Sequence, residues 1–418
     1  MLEAISRYGA RIISNTEQTI AACRGRGELI QGPQISEFER AFEKFHGCGR
    51  AISASYGRMA FFYLLTAFDF PPGSEIVFPA LTFWVVPELA KVSGLKIVFA
   101  DVDPATYTLD PASLERVITD RTRAVVPTHL YGLSCDMDKI LSIAARHRLA
   151  VIEDCAHALG ATYRGRLVGT LGDASFFSFQ TLKPLNTYGG GMALIHDPAI
   201  ADRVAGFVSA EKWPDEKRVL GRLGSGRWQR RMIRPGVFTY TAFPILWAAS
   251  WFMARPDVYL WEKIRPLSPL PDSYIERYSN VQAAIGLAGL SRLADWNSAT
   301  QAHARVMNEA LQGLVGVQAP IVPPEQTHAY YQYCVYGPDR DDILRRCIKR
   351  GVDVEILHVD VCSQLALFGD AQGKMPGAER AADAFQVPVY ESLTDEQVHR
   401  VSDVVRDVLV KKQEVSRV

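Results

Sequence analysis

A chain of 418 residues with 48% apolar and 22% charged content is that of a folded protein, long enough for about two or three cores. Its 46 basic and 46 acidic residues cancel, so there is no general electrostatic case for nucleic acid, and its seven scattered cysteines, never spaced Cys-x-x-Cys, indicate neither a zinc site nor a disulfide framework. The start "MLEAISRYGARIIS" lacks the basic lead and apolar core of a signal peptide, and no run reaches the ~20 apolar residues of a spanning helix, so the expected location is the cytoplasm.

Along the chain, β-branched runs alternate with helical patterns. "RAISAS" precedes the apolar stretch "MAFFYLLTAF"; "SEIVFPA", "VPELAKVSG" and "LKIVFADVD" follow. "LERVIT" then leads to "RAVVPTHLYG", and "MDKILSIAARHR" to "LAVIED". This alternation predicts an α/β fold with a mostly parallel sheet and crossover helices. Several strands are apolar on both faces, as strands covered on both sides should be. Ligands of such sheets sit at the carboxyl ends of strands, which here carry Ser55, Thr82, His129 and Asp154. After Ala210 the pattern changes to a basic, Gly-rich stretch and then to "VFTYTAFPILWAASWFMARPDVYLWEKIRPLSPLP", dense in aromatics. Helical periodicity resumes at "IERYSNVQAAIGLAGLSRLADW", and the remainder reads as a small α/β domain.

The stretch from Val151 to Leu194 carries chemistry. Asp154 ends an apolar run, His157 follows, then Ser178, Lys183 and the glycines Gly189, Gly190 and Gly191. The triple glycine fits no dinucleotide fingerprint, because a strand pattern and not a helix follows it. A lysine near a strand-end acid suggests pyridoxal 5'-phosphate. That cofactor's aldehyde needs an amine, its pyridine nitrogen needs a carboxylate to stay protonated, and its phosphate needs N–H and hydroxyl donors. Lys183, Asp154 and Ser178 can supply these, with Gly57 and Arg58 in the turn "SASYGRMAF". Singly, each feature has an ordinary reading: a cap, a solvated lysine, a packed histidine, a turn.

Taken in order, the motifs resemble those of the DegT/DnrJ-type sugar aminotransferases, fold-type I pyridoxal phosphate enzymes. "GPQISEFERAFEKFHGCGRAI", "SYGRMA", "PALTFW", "EDCAHALGA", "FSFQTLK", "YGGGMAL", "RYSNVQAAIGL" and "VPVYESLT" carry the resemblance. It implies an aspartate-aminotransferase-like fold: an arm (1–31), a large domain with a seven-stranded sheet (32–290) and a small C-terminal domain (291–418). It also implies that Lys183 holds the cofactor and carries the substrate proton, and that Asp154 holds the pyridinium. His157 lies beside the ring oxygen, Phe83 stacks on the ring, and Gly57, Arg58 and Ser178 hold the phosphate. Arg277 and His358 are its candidate substrate residues, and Gln282 fits its late signature.

There are departures. Arg58 replaces the family's threonine. Ile275 stands where the family usually has an asparagine reaching the neighbouring subunit's phosphate, so the resemblance does not extend to that contact. The family's frequent His-Tyr pair is His358-Val359 here. Lys183 argues against the dehydratase members, which carry histidine in its place. A pyridoxal-binding sensor or scaffold without turnover is the reading from another class.

The resemblance further implies a homodimer that moves an amino group, with glutamate as the expected donor, to a keto group of a sugar nucleotide or related cyclic polyol. About fifty residues, from near Trp213 to Asp272, look inserted relative to the family. Arg227, Arg230, Arg231 and Arg234 precede Trp247, Trp251, Phe252, Tyr259 and Trp261. Two readings stand: a helical hairpin packed on its own protein or across a dimer, or an apolar surface for a lipid-like substrate or for peripheral contact with the membrane's inner face.

Overall fold

The computed structural model describes residues 3–9, 11–253, 263–356, 359–371 and 373–415. Seven strands form the main sheet: β1 (Arg50–Ala54), β2 (Glu75–Pro79), β3 (Lys96–Ala100), β4 (Thr122–Val125), β5 (Ala150–Asp154), β6 (Ala174–Ser178) and β7 (Gly191–Ile195). Their spatial order is β1-β7-β6-β5-β4-β2-β3. Pairing is parallel from β3 through β6, and β7 is antiparallel to both β6 and β1. All strands but β7 therefore run one way, and the expected mostly parallel seven-stranded sheet is what forms. β2 and β7 are buried at every position, which is why their sequences are continuously apolar and do not alternate.

The direction of the strands decides where chemistry can gather. The register pairs Ala54 with Gly191 and Gly191 with Ser178, and sets Asp154 beside Phe176. The carboxyl ends of β1, β5 and β6 thus meet the start of β7 at one edge. The helix Gly57–Phe68 begins at that edge directly after β1 and buries its apolar face against the sheet. Gly191 allows the approach: a Cβ there would lie 2.2 Å from the Gly57 nitrogen.

A second unit is built on a three-stranded sheet, in which Phe385–Val387 pairs with Tyr333–Val335 on one side and Glu355–Ile356 on the other. The long helices Leu293–Leu311 and Asp395–Val415 flank it. The chain's first described residues join this unit. Ile5 bridges to Val352, and the buried Arg7 forms a bidentate pair with Asp353.

Past Ala210 come three helices, Glu216–Met232, Pro235–Tyr240 and Phe243–Ala249. Phe238, Phe243 and Leu246 are buried against Ala4, Leu344 and Ile348, so one face of this segment covers the small unit. The other face is bare. Of the eleven exposed large apolar residues among the described ones, eight lie between Trp228 and Ile264, and Phe252 is 90% exposed. No described helix is long and apolar enough to cross a membrane. Tyr259 and Trp261, also expected in this segment, lie outside the described residues.

Candidate active site

Asp154 closes β5 at the edge just described. Its backbone is tied on both sides, donating to Pro127 O at 2.9 Å and accepting from the His129 amide at 3.0 Å. Oδ1 accepts the Ala156 amide at 3.0 Å, while Oδ2 has no hydrogen-bond partner among the described residues. Burial pushes this carboxyl up to about 6, against the opposing pull of the Ala156 amide and the Lys183 charge. The preceding acid has a different task. Glu153 is wholly buried and accepts from His129 Nε2 and from the amides of Gly169, Leu171 and Gly172. It therefore stiffens the loop behind the site and has no capacity left for a ligand. The Cys135 amide donates to His129 Nδ1 at 3.0 Å, which leaves the proton on Nε2, facing Glu153.

Lys183 lies in the turn after β6, its amide bonded to Gln180 O at 2.9 Å. Burial lowers the amine to about 8; Asp154 opposes that shift and Arg58 adds to it. The two groups thus respond to each other's charge. Lys183 Nζ sits 4.8 Å from the centre of the Tyr331 ring. His157 lies between two tyrosines, 4.3 Å from the Tyr331 ring and stacked at 6.3 Å on Tyr131. Burial and the Lys183 charge hold His157 well below the usual histidine range, so the ring is neutral. The Tyr131 amide donates to its Nδ1 at 3.4 Å, which places the proton on Nε2.

The helix Gly57–Phe68 opens with no side-chain cap, leaving its first N–H groups for an anion. Ser178 flanks this end: a Cβ on Gly57 would come within 2.7 Å of Phe177 O and 2.9 Å of Ser178 Cβ. Any larger residue at Gly57 would fill the cradle. The Arg58 guanidinium lies 5.1 to 5.7 Å from the rings of Tyr274, Tyr56 and Phe83, and donates to Tyr274 Oη. Phe83 therefore stands at the cradle, with Arg58 on one side and Trp84 packed at 6.2 Å.

Not every expected residue joins this group. Arg277 stacks on Trp213 at 3.9 Å, and its amide bonds to Lys212 O, so its guanidinium is engaged with the segment after Ala210. Its neighbours brace the cradle instead. Tyr274 O accepts from Ser55, Tyr278 Oη donates to Thr187 at 2.7 Å, and Gln282 donates to Thr187 O at 3.0 Å. Ile275 packs at the edge of the main core. His358 lies outside the described residues.

Several contributors carry no motif that sequence reading could use. Tyr331 is nearly 150 positions from Lys183, and only the packing of the small unit brings them together. Arg222 donates to Tyr56 Oη at 3.0 Å beside the helix start. Arg230, one of the basic run that the membrane-face reading needs at the surface, is instead 3% exposed and donates to Thr181 O, two residues before Lys183.

The family model for the DegT/DnrJ/EryC1/StrS aminotransferases matches residues 10–227 and 271–406. The chain belongs to that family. Among relatives of this aminotransferase, it is 31% identical to the spore coat polysaccharide biosynthesis protein SpsC of Bacillus subtilis, over 96% of each chain. It is 30% identical to GDP-perosamine synthase of Caulobacter vibrioides, over 98% of this chain and 99% of that one. Among solved structures, DesV of S. venezuelae in complex with a ketimine intermediate superposes with a TM-score of 0.74 at 27% identity, covering 94% of both chains. The part left outside the family match, 228–270, lies within the stretch expected to be inserted.

Proposed function

We propose that this aminotransferase uses pyridoxal 5'-phosphate to move an amino group from an amino acid, glutamate first, to a keto group of a sugar nucleotide or related cyclic polyol. The observation that carries the cofactor is the pair of buried groups at one strand edge: a lysine amine lowered to about 8 and a carboxylate with one unused oxygen. When bound, the cofactor supplies the electron sink that makes the α-proton of an amino acid acidic. The chain supplies the rest. Lys183 is the amine for the aldehyde and, near neutral pH, is able both to take and to return a proton. Asp154 would hold the pyridine nitrogen in its protonated form, and His157 would stand by the ring oxygen. Phe83 would pack on the ring. Gly57, Arg58 and Ser178 would hold the phosphate at the uncapped helix end.

The acceptor class rests on relatives that carry sugar-nucleotide names, GDP-perosamine synthase and a UDP-N-acetyl-3-dehydro-glucosamine aminotransferase among them. A homodimer in the cytoplasm is part of this reading. The bare aromatic face supports one addition, peripheral contact with an anionic membrane surface. Between Glu216 and Asp257 the chain has no acidic residue. A two-fold contact of this face with itself would therefore set arginines against arginines, whereas anionic headgroups would answer them.

The test is the isolated half-reaction. Holoenzyme mixed with glutamate should lose the absorbance of the lysine-linked cofactor, as the amino group moves onto the cofactor, and release 2-oxoglutarate; a keto sugar nucleotide should restore the spectrum. A sensor would bind cofactor and show neither change; that result would overturn the proposal.

A further inference from the structure

Three buried arginines surround a cavity of about 30 Å³ beside the Lys183 turn, and only two of them are answered by an acid. Arg7 meets Asp353 at 2.6 Å and Glu355 at 3.0 Å. Arg11 lies 3.6 Å from Glu391 and donates to Pro184 O at 2.9 Å. Among the described residues, Arg230 has no carboxylate within salt-bridge distance. Its Nε and Nη2 donate to Thr181 O, but Nη1 is buried with no hydrogen-bond partner among the described residues. Burial lowers it to about 10 against the opposing charge of Glu391, so it remains a cation at neutral pH. Glu391 is already engaged by Arg11, and a buried cation without a hydrogen-bonded acid of its own is costly.

The cavity's position is informative. Leu182 and Pro184, the neighbours of Lys183 in sequence, line it, and so does Tyr331, the ring over which Lys183 Nζ lies. Its volume holds about two waters, or the two oxygens of one carboxylate. Arg230 belongs to the 228–270 segment that the family model does not match.

We infer that Arg230 Nη1 and this cavity form a subsite for the side-chain carboxylate of a dicarboxylic amino donor. The inference rests on the transaminase reading above. The α-carbon must react at Lys183, and a carboxylate further along the donor is then the group that reaches past the turn. Arg230 would neutralise it while still holding Thr181 O, so donor binding and the placement of Lys183 share one guanidinium. Glu391, whose Oε2 also lacks a hydrogen bond, is the cavity's own acid and would repel the same ligand.

Two measurements test this. In titration calorimetry, wild-type holoenzyme should bind glutarate at least tenfold more tightly than valerate, the monocarboxylate of equal length. Arg230→Gln should remove that preference, and Glu391→Gln should tighten glutarate binding severalfold. No preference in wild type, or one unchanged in Arg230→Gln, would sink the subsite. Should Arg230→Gln not fold, the wild-type preference and the gain in Glu391→Gln decide the matter, since loss of a purely structural contact predicts no gain. In kinetics, Arg230→Gln should raise KM for glutamate tenfold or more and leave KM for alanine within twofold. Equal changes for both donors would make Arg230 only a brace for the turn, and a change confined to the keto acceptor would place the carboxylate on the wrong substrate; either overturns the inference. Glutarate binding without turnover would leave the subsite standing and refute the transaminase reading instead.

Discussion

The cradle around Lys183 and the segment from Trp228 to Met253 use aromatic side chains in opposite ways. In and behind the cradle, Phe177, Phe179 and Tyr278 are buried, and Tyr278 is hydrogen-bonded to the loop that precedes β7. They fix backbone and ring positions that an acid, an amine and a helix end need to share one edge. In the segment, Trp247 and Trp251 pack on each other at 5.8 Å yet are 41% and 57% exposed. Lys349 sits 3.7 Å over the Trp251 ring, so the patch meets a cation from the small unit, and Arg231 and Arg234 earlier in the segment are exposed. The family model covers the first region and stops as the second begins. The exposed aromatics thus concentrate where the family match is interrupted, although the same segment also buries Phe238, Phe243 and Leu246. Apolar area left in water costs about 25 cal/mol per Å² relative to burial, so a patch of this kind is kept for something that covers it.

The comparison breaks most sharply at Lys183. Lys183→Ala should fold and retain cofactor without covalent attachment, but lose roughly 10⁴-fold or more in turnover, because nucleophile and proton carrier go together. Borohydride reduction of wild type followed by peptide mapping should label Lys183 and no other lysine. Asp154→Asn comes next, with a loss of roughly 10²–10³-fold in the half-reaction, since an amide cannot hold the pyridinium proton. Near wild-type turnover in that variant would make Asp154 a cap and remove the cradle assignment.

The segment should respond in the reverse sense. Replacing Trp247 and Trp251 by serine should cut flotation with anionic vesicles about tenfold or more through lost apolar contact, while the half-reaction with glutamate in solution stays near wild type. Arg231→Ser and Arg234→Ser should each weaken vesicle binding about fivefold at low salt, as expected for about 1 kcal/mol per cation. If the tryptophan changes lower the melting temperature and wild type never floats, the segment is packing and not a membrane face.

The smallest effect is a shift in pH dependence. Only the neutral amine attacks the aldehyde, so the rate of covalent cofactor attachment to the apoprotein should rise with pH through about 8, where burial has brought Lys183. Asp154 raises the lysine and Arg58 lowers it. Asp154→Asn should therefore move the midpoint to lower pH, and Arg58→Thr to higher pH. A midpoint left near the free-lysine value would mean that the amine is solvated.

Much of this protein is set locally and can be read from its sequence. The alternation of apolar runs with helical periods specifies the parallel sheet, because strands covered on both faces must be apolar throughout. Strand direction then specifies that Ala54, Asp154 and Ser178 end at one edge. Short-range chemistry placed Lys183 in a turn and Gly57 at a helix start. The rest depends on contacts between residues far apart, for which no local pattern exists. Arg277 matches a motif, yet its guanidinium goes to Trp213, since a flat cation next to a half-buried indole finds its partner there. Arg230 sits in a run of cations that reads as surface, yet helix packing turns it inward onto Thr181 O. Tyr331 reaches Lys183 only because the small unit folds back over the strand edge. The sequence by itself determined the sheet and the acid–lysine edge, through periodicity and chain direction. Which cations are buried, and which rings surround the lysine, only the tertiary structure decided, because burial belongs to the whole packed surface and not to any stretch of chain.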